Sequence, residues 1–272
     1  MRWLAASGLL VRRRDEGLAY RNVPSSPAWS ALGKADLHLH TLASDGLMSA
    51  RALLDHTERR TDLDVIAVTD HDEVGAALWA RDWAAEHGYR VQVVVGVEVT
   101  TRDGHLLALF LEERPPALRR AVATAEWVVQ RGGLCLAPHP FTRLTHSLGK
   151  DVMLELARRG LLAGIEVLNA SPAGRASRGR ALEFAAAEEV AAVGGSDAHT
   201  LAVVGLARTR FAGRTPAALR LALESRGTLA DGRFAQVGEV ASEALPQLAR
   251  SMVHLPLRRL HRWRTSSGKM RP

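Results

Sequence analysis

The 272-residue sequence contains one cysteine, Cys135, two tyrosines and 5% aromatic residues. One cysteine cannot pair within its own chain, so a disulfide framework is excluded. Lysine is scarce, Lys34 and Lys150 being the only two before residue 269. No uncharged apolar run reaches the roughly 18 residues expected of a spanning helix. Neither Gly-x-Gly-x-x-Gly nor Gly-x-x-x-x-Gly-Lys occurs, so the common phosphate-cradling loops are missing. Met1–Val11 carries only fragments of a leader pattern before Arg12-Arg13-Arg14 interrupts it, and a cytoplasmic protein is expected. What remains is 47% apolar and 24% charged residues. That is enough core material to exclude disorder as the main state.

The net charge of +7 misleads about the body of the chain. Seven basic residues (Arg250, Arg258, Arg259, Arg262, Arg264, Lys269 and Arg271) and no acidic ones fall in 249–272. The tail alone carries the whole excess, so a nucleic-acid reading of the entire protein is not licensed. The tail mixes these cations with Leu248, Met252, Leu255, Leu260 and Trp263. It reads first as a solvated end, and alternatively as a contact for nucleic acid or an anionic membrane surface. Pro24-Ser25-Ser26-Pro27 reads as a linker. The expected organisation is an N-terminal extension over 1–33, one domain over 34–243 and a basic tail over 244–272.

Within 34–243 short apolar runs alternate with helical stretches. The runs are Ala35–Leu39, Asp64–Thr69, Val91–Val97, His105–Leu111, Leu134–Ala137, Gly164–Leu168 and Val190–Val193. Continuous apolarity of this kind suits strands buried on both faces. Helices are expected over Ser49–Arg60, Val74–His87, Ala117–Arg131, Lys150–Arg159, Arg175–Glu189 and Pro216–Arg226, the last capped by Thr215. The alternation predicts an α/β fold, and seven candidate strands favour a barrel over an open sheet.

Eleven histidines carry the functional signal, because several stand with acids where apolar runs end. His38 and His40 are two apart on a strand and therefore share a face, where neutral imidazoles are natural ligands for a divalent cation. Asp45 follows in a turn. His71 ends the second run between Asp70 and Asp72, which are expected to orient its ring. Glu98 interrupts the third run, and a buried carboxylate needs a partner such as a metal. Only six residues separate Glu98 from His105, too few for a parallel crossover, so a hairpin turning at Asp103-Gly104 is expected. It would set His105 on the face of Glu98 and Thr100, either sharing a metal with Glu98 or packing on Thr100. His139, between Pro138 and Pro140, ends the fifth run, and Asp197 and His199 end the seventh. In a closed parallel sheet the carboxyl ends of the strands meet at one mouth. This ligand set exceeds what one tetrahedral ion needs and suits two or three ions of Zn, Mn or Fe. Such a site favours phosphate-ester hydrolysis by an ion-held hydroxide.

Taken in order, the blocks Asp-Leu-His-Leu-His-Thr, Ser-Asp-Gly, Thr-Asp-His-Asp, Gly-Val-Glu-Val, His-Leu-Leu, Pro-His-Pro and Gly-Ser-Asp-Ala-His resemble the PHP (polymerase and histidinol phosphatase) family from about Lys34 to Leu206. The resemblance implies a distorted (β/α)7 barrel and a trinuclear centre hydrolysing phosphate esters. By position, His38 and His40 would bind one ion with Glu98 and Asp197. Glu98 would bridge to a second ion held by His105 and His139. Asp45, His71 and His199 would hold the third. The chain is too short to carry a polymerase. The expected substrate is a small phosphomonoester, a nucleotide or a short oligonucleotide. The alternatives are histidinol-phosphatase-like activity and a non-catalytic nucleic-acid-binding or regulatory module. Hydrolysis of C–N bonds on a related barrel is disfavoured, since no lysine lies near the strand ends to bridge metals. Arg143, Arg175 and Arg178, in loops expected to overhang the mouth, are candidates to grip a phosphate. His56 and His87 read as helix surface or terminus, His146 as solvated and Cys135 as a small core residue.

Overall fold

The protein is described here from a computed structural model. It describes residues 31–142 and 145–240, with backbone alone at 172, 173, 237 and 240 and in three short strands, Leu4–Ala6 (β1), Leu9–Arg13 (β2) and Leu18–Ala19 (β3). These three pair antiparallel with one another in the order β1-β2-β3. The Pro24–Pro27 segment and the basic tail lie outside the described residues.

Seven strands make the frame: Gly33–Asp36 (β4), Val65–Val68 (β5), Gln92–Thr100 (β6), His105–Leu109 (β7), Leu134–Ala137 (β8), Gly164–Asn169 (β9) and Ala191–Gly195 (β10). They pair consecutively from β4 to β10. Beyond the ends of β4 and β10 a parallel bridge joins Leu39 to Ala198, so the sheet is a nearly closed ring. The His40 N–H donates to the Ala198 carbonyl at 2.9 Å and the Ala198 N–H to the His38 carbonyl at 3.3 Å. All ring pairings are parallel except those of β7, which runs antiparallel to both β6 and β8. The expected hairpin is present: Thr100 faces His105 across a four-residue connection, and the Thr101 N–H and hydroxyl both close on the Gly104 carbonyl.

Helices Ala50–Arg60 (α1), Gly75–Glu86 (α2), Ala121–Gln130 (α3), Lys150–Arg158 (α4) and Pro172–Ala187 (α5) fill the connections, leaving none between β6 and β7. The barrel therefore departs from a regular alternation at the hairpin. Capping follows the sequence. The Ser49 hydroxyl accepts from the Ala52 N–H, and Thr215 accepts from the Ala218 N–H ahead of Pro216. The third helix begins at Ala121 rather than Ala117, because Leu118 adopts a left-handed φ of 58°.

Two strands were not expected. Ala207–Phe211 (β11) pairs antiparallel with β4 and with Thr228–Gly232 (β12) outside the ring. Its Ala-Arg-Thr-Arg-Phe sequence alternates rather than running apolar, with Arg208 and Arg210 both turned to Asp231. Helix Pro216–Glu224 (α6) joins the two, and a short turn, Val237–Val240 (α7), ends the described chain.

Alternation sorts the strand residues into separate cores. Val65, Ala67, Leu107, Leu109, Leu136 and Val193 pack in one cluster with Phe211 and with Leu219 and Leu223 of α6. Ile66 and Val68 face the other way, onto Leu53 and Leu54 of α1 and Ala77 and Ala80 of α2. Both faces of the sheet are thus covered, which is why the strands read as continuous apolar runs. Phe211 pairs with Gly33 at the amino end of β4, opposite the end bearing His38 and His40. Phe211→Ala empties a fully buried site, and a loss of about 3–5 kcal/mol is expected in urea unfolding. Leu221→Ala, at a position 66% exposed, should change stability by no more than about 0.5 kcal/mol.

Candidate metal centre

The carboxyl ends of β4, β5, β8 and β10, with the β6–β7 hairpin, deliver nine side chains to one spot. Glu98 is the hub and is 1% exposed. Its Oε1 lies 2.9 Å from His105 Nδ1 and 3.0 Å from His139 Nε2. Its Oε2 lies 3.2 Å from both His38 Nε2 and His40 Nε2 and 3.3 Å from His71 Nδ1. Asp197 Oδ1 stands 3.5 Å from His38 Nε2 and 3.4 Å from His40 Nε2. Asp45 Oδ1 is 3.2 Å from His199 Nε2, and its Oδ2 is 3.8 Å from His71 Nε2. Three carboxylates and six imidazoles therefore interlock around one centre.

The donor set fits divalent cations. His38–His40–Glu98, His38–His139–Asp197, His40–Asp45–His71, His40–Asp197–His199 and His71–Glu98–His105 each offer three donor atoms within 4.8 Å of one another. His40 Nε2, His71 Nδ1 and His105 Nδ1 are buried and lack a hydrogen-bond partner, although carboxylate oxygens are close. Buried imidazole nitrogens close to carboxylate oxygens but outside hydrogen-bond geometry are what a coordinating ion would satisfy.

Electrostatics alone couples the cluster tightly. Burial would raise the Glu98 carboxyl, but the imidazoles of His71, His105 and His38 outweigh it and hold it well below the usual range. Asp197 is likewise held low against burial, by His38, His40 and His199. Burial opposes protonation of His40, yet Asp197, Glu98 and Asp45 push it up to about 10. His71 goes the other way, down to about 3, because burial dominates and His40 and His105 repel a further charge. Charges removed from water in this way require partners of opposite sign.

Several supports escaped the sequence reading. Glu166 of β9 is buried, with Oε1 3.0 Å from His38 Nδ1, and its Oε2 accepts from the His139 N–H at 2.7 Å and from Asn169 Nδ2 at 2.8 Å. The signal was present: one carboxylate interrupts the apolar Gly164–Leu168 run, as Glu98 does in its own. Gly195 is required beside it, since a Cβ there would collide with the Glu166 carboxylate and the His38 side chain. Asp36 accepts from the Ser196 and Gly205 N–H groups, both at 2.9 Å, and ties β4 to the segment carrying Asp197 and His199. Ser147 donates to the His139 carbonyl at 2.7 Å, and Thr145 Oγ1 lies 3.1 Å from His139 Nδ1. His139 (φ 30°) and Asp197 (φ 54°) occupy the left-handed region rarely used by such residues.

The residues flanking His71 act elsewhere. The Asp70 carboxylate accepts from the N–H and hydroxyl groups of Thr41 and Ser44, bracing the turn between His40 and Asp45 rather than the His71 ring. Asp72 Oδ1 accepts from the Thr100 N–H at 2.8 Å and fixes the end of β6. Arg175 and Arg178 sit on the exposed side of α5, not in a loop, with the Arg175 guanidinium over the Phe234 ring. Arg143 lies outside the described residues. His146 is exposed, its ring 5.1 Å from that of His105. His87 ends α2, its ring stacked on Trp83. His56 is half-buried on α1, and Cys135 is buried in the core.

A family model described as PHP-associated matches residues 176–228. A two-domain protein from Bacteroides vulgatus containing a predicted PHP-like metal-dependent phosphoesterase superposes with a TM-score of 0.64 at 21% identity, covering 80% of this chain and 70% of that one. The chain has the fold of this PHP-like protein and carries a PHP-associated segment. An uncharacterized protein of Methanocaldococcus jannaschii is 33% identical over 148 residues, which are 50% of this chain and 82% of the relative. The 5'-3' exoribonuclease Rnm of Salmonella typhimurium is 34% identical over 92 residues. That match spans 32% of this chain and 31% of the exoribonuclease.

Glu166→Ala removes the carboxylate holding both His38 and the His139 backbone. Loss of such an outer support is expected to weaken Mn or Zn binding roughly 10–100-fold, measured by titration calorimetry.

Proposed function

We propose that this chain is a metal-dependent phosphoesterase of the PHP family. The observation that carries the reading is the gathering of nine metal-competent side chains around Glu98, with three buried imidazole nitrogens left without hydrogen-bond partners. In this reading His38 and His40 with Glu98 and Asp197 hold one ion, Glu98 with His105 and His139 a second, and Asp45 with His71 and His199 a third. Divalent ions in such a set supply Lewis acidity toward phosphoryl oxygens and lower the pKa of water.

The chain's own residues account for the rest. Glu98 offers its two oxygens to different imidazole groups, so one carboxylate can serve two cations. Glu166 orients His38 and, through the backbone, His139. The side chains of His105, His199 and Asp197 keep 16%, 13% and 11% exposure, whereas His38 and His40 keep none. A phosphate group therefore reaches the cluster from the side of His105, His199 and Asp197. An esterase of this layout suits a small phosphomonoester, a nucleotide or the end of a short oligonucleotide. The partial likeness to an exoribonuclease supports the nucleotide side of that range. The domain is taken to run over 34–243.

Purified protein should hydrolyse a generic aryl phosphate. Chelation and His38→Ala should each lower turnover by about three orders of magnitude, equivalent to ~4 kcal/mol of barrier. Undiminished turnover in both cases overturns the assignment. A screen over nucleotides, sugar phosphates and histidinol phosphate then ranks the substrates.

A further inference from the structure

A second concentration of charge lies away from the ligand cluster. A cleft of about 520 Å³ opens between the carboxyl end of α1 and the start of β11. Arg59, Arg60, Asp62, Leu63, Val204 and Arg208 are among its lining residues. Leu63 leads into the amino end of β5, whereas His71 lies beyond its carboxyl end, so the cleft shares no residue with the nine-residue cluster.

The lining carries three arginines and one carboxylate, and Arg208 is held by Asp231 at 3.0 Å, which leaves Arg59 and Arg60 as its exposed cations. Asp62, the carboxylate in the lining, is already engaged by Lys34 and by Arg208, the latter at 3.5 Å. Arg59 and Arg60 are exposed, and the Arg59 guanidinium is 3.8 Å from Asp55, the outer limit of an ion pair. Lys34 is held below its usual range by burial and then by Arg210 and Arg208. The exposed Arg59 and Arg60 guanidinium groups at the rim make the cleft attractive to an anion. Guanidinium groups stand on both walls, from α1 and from β11, and those of α1 remain in solvent. A line of exposed guanidinium groups suits successive phosphates of a flexible strand, gripped with release of counterions, better than one enclosed phosphate.

We propose that this cleft binds the phosphodiester backbone of single-stranded nucleic acid, as a contact site remote from the ligand cluster. The phosphoesterase reading enters only in the choice of a polynucleotide over other polyanions.

The test is fluorescence anisotropy of the full chain with a labelled, cleavage-resistant phosphorothioate RNA of about twelve nucleotides. In Arg59→Gln/Arg60→Gln the dissociation constant should rise about tenfold, and the slope of log K against log salt should flatten by about 1.4, the counterions of two lost contacts. Aryl phosphate turnover should stay at the parent level, which checks folding, and Arg60→Gln alone should give a smaller shift in the same direction. An unchanged dissociation constant and slope in the double variant overturn the proposal. So does displacement of the RNA by inorganic phosphate or a mononucleotide at equal total phosphate, which would mark a small-anion site. Binding is read without turnover, so an inactive enzyme that still shows the arginine-dependent binding would overturn the phosphoesterase reading and leave this one standing.

Discussion

The structure depends on one buried carboxylate. Glu98 sits 1% exposed near the carboxyl end of β6, faced by five imidazoles. An ionised side chain in that position is tolerable only while its partners stay within about 4 Å, because its attraction to them must offset the lost hydration. Those partners come from β4, β5, β7 and the exit of β8. The charge on Glu98 therefore favours the ring geometry that holds those chain segments together. The same constraint explains why function and fold share residues: the closing bridge at Leu39 and Ala198 lies between His38 and His40 on one side and next to Asp197 on the other.

The break in regular alternation serves the same end. A helix between β6 and β7 would carry His105 away from Glu98. A four-residue hairpin instead returns the chain at once, with Thr100 opposite His105, so both side chains enter the cluster from adjacent strands. The antiparallel β7 is what sets His105 beside Glu98.

Support residues form a second layer of buried polarity. Glu166 and Asp36 each hold several groups from distant segments, and Gly195 keeps the space they need. A metal site is only as well defined as the groups that fix its ligands. The cationic cleft beside β11 obeys a different rule. Its exposed arginines, Arg59 and Arg60, remain in water, where holding a charge costs little.

The sequence alone determined the seven apolar strands, the cap at Thr215, the hairpin at Asp103-Gly104 and the set of histidines and acids at the strand ends. Those features are local: period, cap chemistry and loop length act over a few residues. Only the tertiary structure decided which donor faces which oxygen of Glu98, that Asp70 braces Thr41 and Ser44 rather than His71, and that Glu166 belongs beside His38. It also added β11, whose alternating arginines are matched by Asp231, and placed Arg175 and Arg178 on a helix. Most of these depend on atoms far apart in sequence, as with Glu166 and His38, 128 residues apart, and on through-space energies that local patterns do not encode.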